Sequence, residues 1–178
     1  MTTMTPADDN NELDRGPLPS KLESHGAVFF DTADRLLLVK AAYGWGFPGG
    51  VAEQDETPRA TVRREVEEEI GLVKEPGALL VVDWQPSCSR NLTEAQRAAG
   101  WSERFMDGLI LEFDGGVLTA DDIASIKLDP DEIEDYTFLP LDQALRRMDS
   151  PQSGRARAAV KARETGTVVY LENGNPPS

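Results

Sequence analysis

The stretch GGVAEQDETPRATVRREVEEEIGL, Gly49 to Leu72, puts Glu65, Glu67, Glu68 and Glu69 together in a run that reads as a helix. Thr57 can cap that helix, Pro58 suits its first position and Gly71 can end it. Val62, Val66 and Ile70 recur every fourth residue and form a stripe for burial. Like charges packed so closely repel and cost helix stability. Either the acidic face is simply solvated, or a cation sits on it. With Glu65 as origin on a helical wheel, Glu68 falls about 60° to one side and Glu69 about 40° to the other, while Glu67 lies far outside that arc and reads as solvent-facing. Three carboxylates so arranged suit a hard, oxygen-preferring ion such as Mg²⁺ or Mn²⁺. Without one, their repulsion should raise at least one pKa. Gly49-Gly50 permits close backbone approach, which makes a glycine carbonyl a candidate for one more ligand.

Read from Gly50, the spacing is Gly, five residues, Glu56, seven residues, then Arg64-Glu65-Val66-x-Glu68-Glu69-x-Gly71-Leu72. It resembles the Nudix hydrolase signature GX5EX7REUXEEXGU, U being aliphatic, at every fixed position, and the Trp-Gly-Phe-Pro-Gly-Gly lead-in is similar to that of MutT-like members. The resemblance implies an α+β fold, an α/β/α sandwich with a mixed β-sheet flanked by helices and a loop–helix–loop motif. It also implies divalent-metal-dependent hydrolysis of a nucleoside diphosphate linked to a further moiety X. Carried over by position, Glu65, Glu68 and Glu69 would bind Mg²⁺ or Mn²⁺, joined by the Gly50 carbonyl. Glu56 and Arg64 would pair and brace the loop against the helix, with Arg64 reaching substrate as the lesser reading. The general base is left open between Glu68 or Glu65 and an acid of the later loop LDPDEIEDY, which offers Asp131, Glu132, Glu134 and Asp135.

Around this motif, 25–31 and 35–41 read as strands of a hairpin, and 44–53 as a bent strand and loop. Further strands are expected at 78–85, 104–116, 135–140 and 167–172, and helices at 141–148 and 154–164. The domain reading is a flexible acidic tail over 1–20, one domain over 21–172 and a flexible tail over 173–178.

Specificity should come from outside the motif. Tyr43, Trp45 and Phe47 alternate, so an extended segment would put them on one face, where they could sandwich a nucleobase or serve as core. Arg90 and Arg104, flanking a polar insertion with Trp101, are candidates to grip phosphate or a base edge. His25 and Trp84 suit strand packing. The 178 residues carry 18 Lys and Arg against 32 Asp and Glu, a net charge of −14. That balance argues against bare electrostatic binding of nucleic-acid polymers or anionic membranes, but not against a small phosphorylated nucleotide met by a cation. The single cysteine, Cys88, can form no internal disulfide. With no signal pattern and no membrane-length apolar run, the sequence reads as cytoplasmic. The expected substrate is a (d)NTP or oxidised (d)NTP. ADP-ribose or a nucleotide sugar is the rival, and a non-catalytic nucleotide-sensing module is the alternative of another class. A homodimer is the family-level expectation.

Overall fold

The computed structural model describes residues 21–86 and 107–178. The N-terminal tail expected over 1–20, the polar insertion, Cys88, Arg90, Trp101 and Arg104 lie outside the described residues.

The glycine-flanked helix folds as its sequence dictates. Helix α1 (Pro58–Ile70) starts at the N-cap Thr57, whose hydroxyl accepts the Ala60 N–H, and stops at Gly71, which adopts φ 71° and donates its N–H to Glu67 O. Val62, Val66 and Ile70 are at most 1% exposed. Each such side chain contributes about 1.5–3 kcal/mol on burial.

Helix α1 packs on a mixed sheet. Its strands are β1 (Leu22–Asp31), β2 (Leu36–Ala41), β3 (Gly44–Gly46), β4 (Gly49–Val51), β5 (Leu79–Gln85), β6 (Gly108–Leu118), β7 (Ile133–Leu139) and β8 (Val169–Glu172). The main path runs β3-β2-β1-β6-β5-β8, with β4 paired to β1 and β7 to β2. Parallel pairing of β1 with β6 from Leu22↔Gly108 to Asp31↔Leu118 forms its spine. Alternation along β1 and β2 divides the core: Ala27, Phe29, Leu37 and Val39 face α1, whereas Val28, Phe30, Leu36 and Leu38 face the opposite helices. Those helices are α3 (Leu141–Arg147) and α4 (Ser150–Thr165), and a short α2 (Ala120–Ala124) follows β6. This is the sheet between helical layers that the sequence suggested. Among the described residues no helix is long and apolar enough to cross a membrane.

Several strand bounds shift by a few residues from the expectation, and three further differences have a clear local reason. Helix α4 begins at Ser150 rather than at 154, because Asp149 caps it by accepting the Gln152 N–H. Helix α2 was not expected; a reciprocal capping box between Thr119 and Asp122 holds it. The C-terminal segment does not leave the fold at residue 173. Asn173 N–H donates to Trp84 O at 2.7 Å, and Gly174 N–H donates to the buried Asp83 Oδ1 at 2.9 Å. Gly154 admits this turn against α4, since a Cβ there would lie 1.8 Å from Gly174 O.

The sheet also forks. Strands β1 and β2 share only the register pair Phe30↔Leu36, and further along β1 the partner is β4, at Ser24↔Val51 to Gly26↔Gly49. β2 meanwhile pairs with β3 and β7. A cleft of about 560 Å³ lies in this fork, bordered by Gly26, Ala41, Tyr43, Gly50, Ile110 and Arg155 among others. Its lining draws on both faces of the sheet.

Candidate active site

Arg64 organises the acidic face of α1. Its Nε and Nη2 each donate at 3.0 Å to one oxygen of Glu56, a bidentate pair that fixes the loop before the helix. Its Nη1 donates to Glu65 Oε1 at 2.8 Å and to Glu68 Oε2 at 2.9 Å, and Nη2 also reaches Val51 O at 3.1 Å. The Arg64 hydrogen bonds, helped by the Glu53 N–H and the Thr61 hydroxyl, bring the Glu56 carboxyl down to about 2. One guanidinium thus ties together the loop, the strand β4 and two helix carboxylates.

The carboxylates do not converge quite as the helical wheel implied. Glu65, Glu69 and Glu132 each place an oxygen within 4.8 Å of the others. Glu68 instead leans toward solvent, its side chain 52% exposed on Arg64, and Glu67 is exposed as expected. Glu132 arrives because the backbone after α2 caps the end of α1: Lys127 N–H donates to Ile70 O and Asp129 N–H to Glu69 O. Ile133, 2% exposed, anchors that loop in the core. Of the loop's other acids, Glu134 pairs with Lys40, and Asp135 accepts the Tyr136 N–H. Asp131 is not part of the cluster.

Burial makes this cluster electrostatically tense. Glu69 is 4% exposed, and burial together with Glu65, Glu132 and Glu68 pushes its carboxyl up to about 8, against the pull of the Gly49 N–H. Burial also raises Glu65, although Arg64 opposes it. Gly49 N–H donates to Glu69 Oε2 at 2.9 Å. At φ 150° Gly49 uses a conformation L-residues avoid, and a Cβ there would meet His25 O at 2.4 Å. Gly50 lies directly against the cluster, since a Cβ on it would fall 2.4 Å from Glu65 Oε1.

The three aromatic residues separate. Phe47 is core, 8% exposed, and Trp45 packs beside it with the Arg147 guanidinium 5.0 Å from its ring centroid. Tyr43 sits at the hairpin tip and is 43% exposed. Partial burial and the carboxylates of Glu69, Glu65 and Glu132 raise its hydroxyl pKa. Both Tyr43 and Trp45 border the cleft, whereas one face of Trp45 is already covered by Arg147. His25 and Trp84 lie in strands, His25 only 1% exposed.

On the α4 side the cleft reaches a charged group the sequence reading missed. Arg155 Nη1 donates to Asp83 Oδ2 at 2.7 Å, and its Nε stands 3.4 Å from Glu112 Oε1. Burial pushes the Glu112 carboxyl up to about 7, aided by Asp83 and opposed by Arg155. A signal was present: Asp83 in LLVVDWQ, Glu112 in GLILEFD and Arg155 in GRARAAVKA put charge inside segments rich in apolar residues.

A family model for the NUDIX domain matches residues 21–160. The chain belongs to the Nudix hydrolase family. Among solved structures, the MutT protein from Methanosarcina mazei Go1 is 19% identical with a TM-score of 0.60, covering 85% of this chain and 99% of its own. A Nudix hydrolase from Nitrosomonas europaea is 18% identical with a TM-score of 0.62, covering 88% of this chain and 80% of its own. The Nudix domain of Shewanella oneidensis NrtR, complexed with ADP ribose, is 19% identical with a TM-score of 0.60, covering 84% of this chain and 91% of its own. A comparison with curated proteins finds no match. These likenesses establish the Nudix fold and leave the substrate to the site itself.

Proposed function

We propose that this Nudix hydrolase cleaves a phosphoanhydride bond of a nucleoside diphosphate-X substrate, with a (d)NTP or oxidised (d)NTP as the first candidate. The convergence of Glu65, Glu69 and Glu132 beside Gly49 and Gly50, at the border of a nucleotide-sized cleft, carries this reading. An all-oxygen, anionic donor set under mutual repulsion fits Mg²⁺ or Mn²⁺. Glu65, Glu69 and Glu132 would hold the ion, with the Gly50 carbonyl and Glu68 as further ligands. Such an ion supplies charge neutralisation on the phosphate oxygens and acidifies water for in-line attack.

The protein's own groups do the positioning. Arg64 hydrogen-bonds one oxygen each of Glu65 and Glu68 and so orients both carboxylates beside the loop. Glu68, bound to Arg64 through Oε2, keeps its other oxygen free of that contact and is the leading candidate to take the proton of the attacking water. Phosphorus then gains the water oxygen and releases the bridging oxygen with a phosphate-bearing fragment. The net charge of −14 disfavours polyanionic polymers, which favours a small, cation-complexed nucleotide as substrate.

Product analysis across (d)NTPs, oxidised dNTPs, ADP-ribose and nucleotide sugars tests this. Pyrophosphate or phosphate release marks the first candidate, and AMP with a sugar phosphate marks the rival. EDTA should abolish turnover and excess Mg²⁺ or Mn²⁺ restore it. Turnover that persists in EDTA would sink the proposal. Gly50→Ala should lower kcat/KM by about 10- to 100-fold, because its methyl displaces the Glu65 carboxylate. The carboxylate end is flexible, so thermal denaturation should show a nearly unchanged Tm. A large fall in Tm would mean that Gly50 serves the fold instead.

A further inference from the structure

The Glu112–Arg155–Asp83 group is an unusual thing to bury. Glu112 and Arg155 are each 4% exposed and Asp83 is fully buried. Yet Glu112 Oε2 and Arg155 Nε have no hydrogen-bond partner among the described residues, and the same holds for Asn173 Oδ1. Buried polar atoms normally find a partner, and each that does not costs about 1–3 kcal/mol. Here all three belong to residues lining the cleft. The rest of the group is well supported: Asp83 uses one oxygen for Arg155 and the other for Gly174 N–H. Gly26 makes the room, since a Cβ there would lie 2.5 Å from Glu112 Oε2. The scaffold therefore fixes an acceptor and a donor side by side, leaving Glu112 Oε2 without a hydrogen bond and Arg155 Nε with only a 3.4 Å ion-pair contact to Glu112 Oε1.

Part of the surrounding wall is apolar, beside polar groups such as Gln85, Gln152 and Arg147. Ile110, Phe47 and Ala41 are buried, and Trp45 packs beside Phe47. Apolar planes with a fixed donor and acceptor suit a heteroaromatic ring that presents an N–H beside a ring nitrogen or carbonyl. A sugar phosphate would bring anionic oxygens toward Glu112 and Asp83, a mismatch. Resting on the hydrolase reading above, we infer that Glu112 and Arg155 are the base-reading pair of the substrate: Glu112 Oε2 accepts an N–H from the edge of a nucleobase, and Arg155 Nε–H donates to the adjacent acceptor. Phosphates then extend through the fork toward Gly50 and the α1 carboxylates.

Nucleosides without phosphate isolate this step from hydrolysis. The metal-free protein, in EDTA, is titrated with guanosine, inosine, adenosine, cytidine, uridine and ribose by saturation-transfer NMR and calorimetry. At least one nucleoside should bind and ribose should not. A methyl on the ring nitrogen or exocyclic amine of the reading edge should abolish that binding, and a methyl elsewhere should not. Glu112→Met should weaken it at least tenfold while Arg155 keeps Asp83 and the fold. In the active protein the same change should raise KM for the preferred nucleotide more than it lowers kcat, and compress the ranking among bases. Ribose binding, indifference to edge methylation, or no nucleoside binding at all would overturn the inference. Nucleoside binding without any hydrolysis would instead overturn the proposed activity and leave the base-reading pair standing.

Discussion

Glu69→Gln should lower turnover by at least about 100-fold, equivalent to roughly 3 kcal/mol of barrier, and yet stabilise the metal-free protein in mildly alkaline solution. Burial and neighbouring carboxylates hold the Glu69 carboxyl up at about 8, against an ordinary 4.5. The folded protein therefore keeps a proton across that window which the unfolded chain has released. Stability of the metal-free form should fall as pH rises from about 4.5 to about 8 and level off beyond. The variant lacks that slope, gains on the order of a few kcal/mol above the window, and retains the slopes that Glu65 and Glu112 contribute. Urea melts in EDTA at several pH values check the sign, and parallel melts with Mg²⁺ should reverse the order of the two proteins. If Glu69→Gln is less stable than the parent in EDTA at high pH, the buried carboxylate is not under the strain described.

Arg155→Met should be the most damaging single change outside α1, costing about 3–5 kcal/mol near neutral pH. It would leave Asp83 and Glu112 facing each other in the interior without their cation. The loss should shrink in acid, because the Glu112 carboxyl can then take up a proton and the stranded charge is reduced. Urea denaturation near pH 5 and near pH 8 measures the difference. A deficit that is the same at both would point to lost packing of the arginine stem rather than to stranded charge.

The sequence made the catalytic helix unusually legible. Thr57, Pro58 and Gly71 punctuate it, and its glutamate spacing depends only on helical period, a local property. Glu132 was harder, one of four acids in its loop, because its selection depends on Lys127 and Asp129 reaching back to cap α1. No periodicity encodes a contact between segments sixty residues apart. Glu68 was assigned to the inner cluster from its helical angle and its place in the signature, whereas in the fold it leans outward on Arg64. The Glu112–Arg155–Asp83 group was missed for a related reason. Each member looks like an isolated charge in its own segment, and only pairing of β5, β6 and α4 shows that they meet. Tyr43 and Trp45 were expected on one face; the hairpin turn and Arg147 give them different surroundings.

An unbroken β-sheet is a partition, and a small molecule cannot touch both of its sides. In this protein β2 leaves β1 after a single register pair, so the partition has an opening beside Gly49 and Gly50. On the proposed reading, hydrolytic groups on the α1 side and base-reading groups on the α4 side act on one substrate from opposite faces of the sheet. Mutational drift in one compartment need not disturb the other. A lineage built on this scaffold can exchange the molecule it accepts by altering residues around Glu112 and Arg155, and inherit its bond-breaking apparatus intact.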